Sequence, residues 1–258
     1  MTDIFMTIAN PNPRLSLSTA RSMRVYVIPL MVFIVGSIIP FLLLNTADGF
    51  AGTDDYYHTR IADQIIVQGN LRLDFPWLPL TILNQDQFVD HHLLYHLYLS
   101  PWIHWGGVIA VKIAQSLVLG AITLVFWSLL RYLQVQKATI WTFALLAISS
   151  PFLYRMLMIR TQAMAILLLL MTLHVLFRKQ YHWLALLAFA FTWLYNGFIF
   201  LPAMVILYAV SAWVSDRQLA WQPVVFAVGG MLLGLIINPY FPQNISFVFD
   251  HLSEKIDL

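Results

Sequence analysis

Acidic residues, histidines and arginines are few in this chain, and they gather in a small number of places. The first is Thr53-Asp54-Asp55-Tyr56-Tyr57-His58-Thr59-Arg60. Asp54 and Asp55 stand just ahead of a helix-forming stretch, within two turns of Arg60. Carboxylates so placed offer hard oxygen ligands to a divalent cation such as magnesium or manganese. Either could also take a proton from a hydroxyl as a general base. The structural alternative is that Thr53 or Asp54 caps the helix and Asp55 favours its first turn.

The second place is Asp86-Gln87-Phe88-Val89-Asp90-His91-His92-Leu93-Leu94-Tyr95-His96. Asp90, His91, His92 and His96 concentrate oxygen and nitrogen ligands within two helical turns, and His92 and His96 at i and i+4 can share one face. The string lacks a complete metal-site spacing, so a wet helix with merely polar histidines stands as the alternative. The third place is Arg155 and Arg160, which flank the outer end of an apolar segment. The planar fork of arginine suits phosphate, through paired hydrogen bonds; snorkelling to water is the other explanation. Snorkelling is the preferred account for Lys112. Asn196-Gly197 and Asn238-Pro239-Tyr240-Phe241-Pro242 read as turns at outer segment ends. The sequon Asn244-Ile245-Ser246 is taken as chance, and His174 as a buried, hydrogen-bonded residue.

The surroundings of these residues are apolar. Hydrophobic types make up 60% of the chain and charged types 10%, against about 25% charged in an ordinary soluble domain. Mean hydropathy is +0.75. So few charges could not coat a soluble globule, and lipid must solvate much of the surface. Cysteine is absent, which excludes disulfides, thiolate nucleophiles and thiolate-held metals. No basic stripe suggests nucleic acid.

Hydropathy predicts an all-α integral membrane protein forming one transmembrane domain over 1–258. About seven spans are expected near 25–45, 107–130, 139–154, 161–177, 183–195, 198–214 and 222–238. Residues 1–24 form a cytoplasmic N-terminus, 46–106 a large outer loop, and 239–258 an outer tail. The first span is longer than a signal-peptide core and reads as a retained anchor. The stretch 183–214 is too long for one span, and Asn196-Gly197 divides it. With the N-terminus inside, Arg14, Arg21, Arg24, Arg131, Lys137, Arg178, Lys179 and Arg217 fall on the cytoplasmic side, and the first-loop aspartates fall outside. In a bacterium that outer side is the periplasm of the inner membrane. Within the loop, 57–69 and 90–105 carry leucine or isoleucine stripes beside polar faces, the pattern of two amphipathic helices lying in the interface. Phe75-Pro76-Trp77-Leu78-Pro79 between them breaks regular helix.

Asp54-Asp55-Tyr56-Tyr57-His58-Thr59-Arg60 resembles the Asp-Pro-aromatic-aromatic-x-x-Arg motif of oligosaccharyltransferase catalytic subunits, which belong to the GT-C class of membrane glycosyltransferases. The expected layout of about seven spans and two interfacial helices is similar to the core of that class. Thr192-Trp193-Leu194-Tyr195-Asn196-Gly197-Phe198 is loosely similar to its Trp-Gly-Gly stretch. The resemblance implies transfer of a sugar from a polyprenyl phosphate or pyrophosphate carrier, with membrane lipid as surroundings. It sets Asp54 where the class has an aspartate that binds metal and contacts the acceptor, with Asp55 as its rival, and Asp90 where a second acidic motif ends the loop. On this view Asp54, Asp90, His91 and His92 hold the cation, and Arg60, Arg155 and Arg160 face the carrier phosphate. Asp55 stands in place of the proline, Asp90-His91-His92 in place of the usual acidic pair, and the Trp-Trp-Asp motif is absent. A general GT-C transferase is therefore expected rather than a protein N-glycosylating enzyme. The alternative is a non-catalytic transporter or an assembly subunit of a membrane complex. The short tail after the last span also admits a truncated or split enzyme.

Overall fold

A computed structural model describes residues 13–50, 52–75, 88–147, 149–217 and 220–256, giving the backbone alone for 13–25, 216 and 250–256. Pro76, Trp77, Pro79 and Asp86 lie outside the described residues. Among those described, helix is the regular secondary structure throughout: α1 (Pro13–Leu44), α2 (Thr53–Gln68), α3 (Leu93–Tyr132), α4 (Ala138–Ala147), α5 (Ser150–Leu157), α6 (Thr161–Phe177), α7 (Trp183–Leu194), α8 (Phe200–Asp216), α9 (Trp221–Ile236) and α10 (Gln243–Ile256).

Two stretches are long and apolar enough to cross a membrane, Tyr26–Leu44 and Leu93–Tyr132, and the bent pair α4 and α5 makes a third if it is one span. The chain is therefore membrane-associated. α6, α7, α8 and α9 are apolar but shorter. Tyr26, Leu30, Met31 and Leu42 stand exposed along α1, which lipid tolerates and water does not.

α3 is the central element, packing against α1, α2, α4, α6 and α7. Its 40 residues would reach about 60 Å if straight, twice the hydrocarbon thickness of a bilayer. Gly107 breaks the run with φ 61° and ψ −153°, a conformation open to glycine because it lacks a Cβ. The residues before it form a separate helical arm bearing His96, and those after it form the long apolar rod. This is the position at which hydropathy predicts the second span to begin.

The predicted third span, 139–154, is in fact broken. Ser149 caps α5 by accepting a hydrogen bond from the Phe152 N–H, and Pro151 sits in its first turn. Serine before proline is a helix start as much as an end. The division of 183–214 is as expected: α7 stops at Leu194, Tyr195 is extended, and α8 begins at Phe200. A cluster of Ile61, Ile65, Leu73, Phe88, Val89, Leu93, Tyr240 and Phe247 locks α2 to the start of α3 and to the turn after α9. The Tyr240 hydroxyl accepts the Leu73 N–H at 3.1 Å. That cluster ties the polar residues of α2 to those just ahead of α3.

Candidate functional site

The first turn of α2 decides the roles of the two adjacent aspartates. The N-cap is Gly52, which has no side chain to offer, so neither Thr53 nor Asp54 caps the helix. Asp55 supplies the capping contact from inside: its Oδ2 accepts the Gly52 N–H at 3.0 Å. Its Oδ1 accepts the Ile159 N–H, also at 3.0 Å. Asp55 is 2% exposed. Burial pushes its carboxyl above the usual range, while the two backbone donors and nearby Arg160 pull the other way. Asp55 is thus a clasp between α2 and the segment leading into α6.

Asp54 takes no part in capping. Its Oδ2 lies 2.8 Å from Arg160 Nη2, with side-chain exposures of 52% and 22% respectively. Arg160 is the N-cap residue of α6, and its backbone is extended. The turn that presents it is held by Gln115, a buried polar residue in the apolar rod of α3. Gln115 Nε2 donates to the carbonyls of Met156 at 2.7 Å and Met158 at 2.9 Å. The Tyr95 hydroxyl donates to the Gln115 side-chain oxygen. Behind this turn is a cavity of about 210 Å³ walled by Asp55, Lys112, Tyr154, Leu157 and the end of α1. Lys112 does not snorkel. It is 2% exposed and donates to the Ala47 carbonyl, tying α3 to the chain after α1.

One turn further along α2, His58 meets the second constellation. Its Nδ1 is 2.8 Å from His96 Nε2, and His96 Nδ1 is 2.7 Å from Asp90 Oδ2. All three are buried, at 6%, 0% and 3% exposure. Asp90 Oδ1 accepts the His92 N–H at 2.9 Å, so both carboxylate oxygens are engaged. Burial pushes the His58 pKa well below its ordinary value, and His96, His91 and Arg160 push it the same way.

The predicted site residues divide accordingly. Asp54, Asp55 and Arg160 come together. Asp90 meets His96, grouped with it in sequence as a possible ligand, and reaches through it to His58, which was given no role. His92 faces α7, its Nδ1 3.1 Å from the Leu194 carbonyl, and His91 stacks on Phe247 at 4.8 Å. Arg60 pairs with Asp63 at 3.4 Å on the exposed side of α2, about 120° around the helix from Asp54. Arg155 is exposed on α5, with Arg160 the arginine that reaches the loop. Gln115 was the other omission, although a lone glutamine in an apolar span is a signal in its own right.

A divalent cation would need several oxygens or imidazole nitrogens aimed at one point. Among the described residues no group of three or more carboxylates and histidines is so arranged. Asp54 turns to Arg160, Asp90 to His96 and His92, and His91 to Phe247. Asp54, Asp90, His91 and His92 therefore do not fit a cation held by protein ligands alone.

The arrangement offers an exchangeable carboxylate–guanidinium pair beside a buried chain of proton-carrying groups. No protein-family model, curated protein or solved structure matches the chain.

Proposed function

We propose that the chain is a multi-pass GT-C type glycosyltransferase that moves a sugar from a polyprenyl phosphate or pyrophosphate carrier to an acceptor at the outer membrane face. One observation carries this: the motif aspartate of the first loop, Asp54, is ion-paired with Arg160, the arginine independently suited to a carrier phosphate. Sequence separates the two by more than a hundred residues. Their meeting supports a single site that takes both acceptor and leaving group.

The chemistry follows from the pair. Sugar transfer releases a phosphate or pyrophosphate, and a positioned guanidinium stabilises the charge that develops there. A donor phosphate competes with Asp54 for Arg160. Its arrival turns the carboxylate away from the arginine and leaves Asp54 to contact the acceptor. Arg155 and Arg60 are outlying cations on the approach. The spans in this reading are α1, the part of α3 after Gly107, the bent pair α4 and α5, and α6 to α9. The short helices are met by tilt or a thinned bilayer. α2 and the arm before Gly107 lie in the outer interface, facing the periplasm in a bacterium.

Two measurements test the reading. Purified protein in lipid nanodiscs should transfer sugar from polyprenyl-linked donors to soluble or lipid acceptors; absence of transfer across donors of both phosphate types would reject it. Because the chain lacks cysteine, single cysteines report sidedness cleanly. An impermeant thiol reagent added outside should label positions 54 and 241 and leave 137 and 179 untouched. Labelling at 137 from outside would overturn the orientation.

A further inference from the structure

We propose that His58 Nε2 is the proton acceptor for the nucleophile, set in its basic tautomer by a hydrogen-bond chain that begins at Asp90. The proposal rests on the transferase reading and adds to it the group that takes the proton.

The polarity of the chain follows from what each atom can do. A carboxylate has acceptors only. Asp90 Oδ2, 2.7 Å from His96 Nδ1, therefore requires that nitrogen to carry the proton. A neutral imidazole has one N–H, so His96 Nε2 is an acceptor. His58 Nδ1 lies 2.8 Å from it and must be the donor. That leaves His58 Nε2 with a lone pair and no proton. Among the described residues Nε2 has no hydrogen-bond partner, and it is not one of the unpaired polar atoms sealed from solvent. The end of the chain is thus an unprotonated nitrogen, mostly buried but not sealed, one helical turn from Asp54.

The surroundings suit that role. His92, at the cap of α3, and Tyr95 within it pack edge-on against the His58 ring, and Tyr57 stands beside it on α2. Burial first, then His96, His91 and Arg160, disfavour a charge on the ring, so it rests neutral. When it does, Asp90 offsets the imidazolium through His96 without itself having to be protonated.

The step is an in-line displacement. The acceptor O–H bond breaks and its proton goes to His58 Nε2. The oxygen lone pair forms the bond to the anomeric carbon, and the anomeric C–O bond breaks with its electron pair leaving on the carrier phosphate beside Arg160. His58 returns the proton to solvent. Asp54 orients the hydroxyl.

The discriminating variant is Asp90→Asn. Oδ1 of Asp90 accepts the His92 N–H, so the amide keeps its oxygen there and turns its NH₂ toward His96. That forces His96 to carry its proton on Nε2, which in turn forces His58 to carry its own on Nε2. The fold is kept and the base is lost. Nitrogen-15 NMR of histidine-labelled protein in nanodiscs at pH 8 reads this directly. In the wild type, His58 Nε2 should have the shift of an unprotonated nitrogen; in Asp90→Asn it should be protonated. Transfer should fall about 10²–10⁴-fold in Asp90→Asn and in His58→Gln, with the double variant no worse than either. A protonated Nε2 in the wild type overturns the proposal with no variant needed, so misfolding of a variant does not shield it. Wild-type transfer by both variants, with Asp54→Asn inactive, also overturns it while leaving the transferase reading in place. A wild type inactive on every donor removes the reading itself and this role with it.

Discussion

The site uses its carboxylates in two opposite ways. At the start of α2, Asp54 and Arg160 pair at 2.8 Å with the aspartate half in solvent. Ahead of α3, Asp90 meets His96 at 2.7 Å with both side chains sealed. The distances are alike and the physics is not. An exposed pair is screened and contributes little to stability, so a ligand can exchange with either partner. A buried carboxylate loses water it cannot recover, and its partners are fixed by the cost of leaving it unpaired. The first arrangement fits a group that handles substrate, the second a group that sets the state of its neighbours. Asp55, adjacent to Asp54 in sequence, belongs with the buried kind.

The largest expected effect breaks the comparison at its exposed end. Asp54→Asn should lower transfer by about 10²-fold, because the amide lacks the negative charge that faces Arg160 and orients the acceptor hydroxyl. The thermal midpoint should hardly move, since Asp54 caps nothing and its ion pair is half exposed. The assay is sugar transfer with unfolding measured in parallel. Near wild-type transfer would remove Asp54 from the chemistry.

At the buried end the effect should appear in stability. Asp90→Ala leaves the His96 Nδ1–H and the His92 N–H without their acceptor. A buried hydrogen bond to a charged group is worth about 1.5–3 kcal/mol, and its loss should appear as a lowered unfolding midpoint. Asp55→Asn separates the two neighbours on α2 in the same way. Its two oxygens serve two backbone N–H groups, and an amide has one oxygen, so one donor then faces a donor. About 1–3 kcal/mol should be lost, where Asp54→Asn loses almost none. Equal stability of the two variants would erase the distinction.

Much of this was legible in sequence, and the rest was hidden for identifiable reasons. The break at Asn196-Gly197 was visible as turn chemistry, and the one at Gly107 falls at the hydropathy boundary between 90–105 and 107–130. α6 runs from Thr161 to Phe177, matching the expected 161–177, because its apolar run is bounded by arginines. The break after Ala147 was missed because apolar residues continue on both sides of Ser149-Ser150-Pro151, which is a cap and a helix start inside the expected 139–154. In the site, Asp54, Asp90 and Arg160 were singled out by type alone. What could not be read was the pairing, since nothing local links His58 to His96 or Asp54 to Arg160. The helix cap also fell on the wrong residue. Gly52 has no side chain to announce a cap, and Asp55 does that work from three positions inside.

A smaller effect comes from pH. The pKa of His58 is lowered in the folded protein from 6.5, and that of His91 likewise. Below pH 6.5 the unfolded chain therefore binds protons that the folded one does not. Their contribution to stability is present above that pH and is lost as pH falls toward the folded values. The slope for one such proton is at most about 1.4 kcal/mol per pH unit. Unfolding midpoints measured from pH 7.5 down to 5 should decline, and His58→Gln should flatten part of that decline. An unchanged slope in this variant would mean that His58 is not held neutral by the fold.

The smallest effect sharpens the exposed end. Arg160 Nη2 is engaged by Asp54, while its Nε is buried and has no hydrogen-bond partner among the described residues. Nε and Nη2 form one edge of the guanidinium fork, the edge that grips a phosphate through two parallel hydrogen bonds. Arg160→Lys keeps the charge and loses the fork, so binding of a polyprenyl phosphate should weaken by about tenfold, roughly 1.4 kcal/mol. Arg155→Lys should change it little, because Arg155 is exposed on α5 and has no place at the Asp54 pair. Calorimetric titration of each variant with the carrier lipid in nanodiscs makes the comparison. If the Arg160 variant binds as the wild type does and the Arg155 variant does not, the phosphate belongs beside α5, and the pair with Asp54 is only a surface contact.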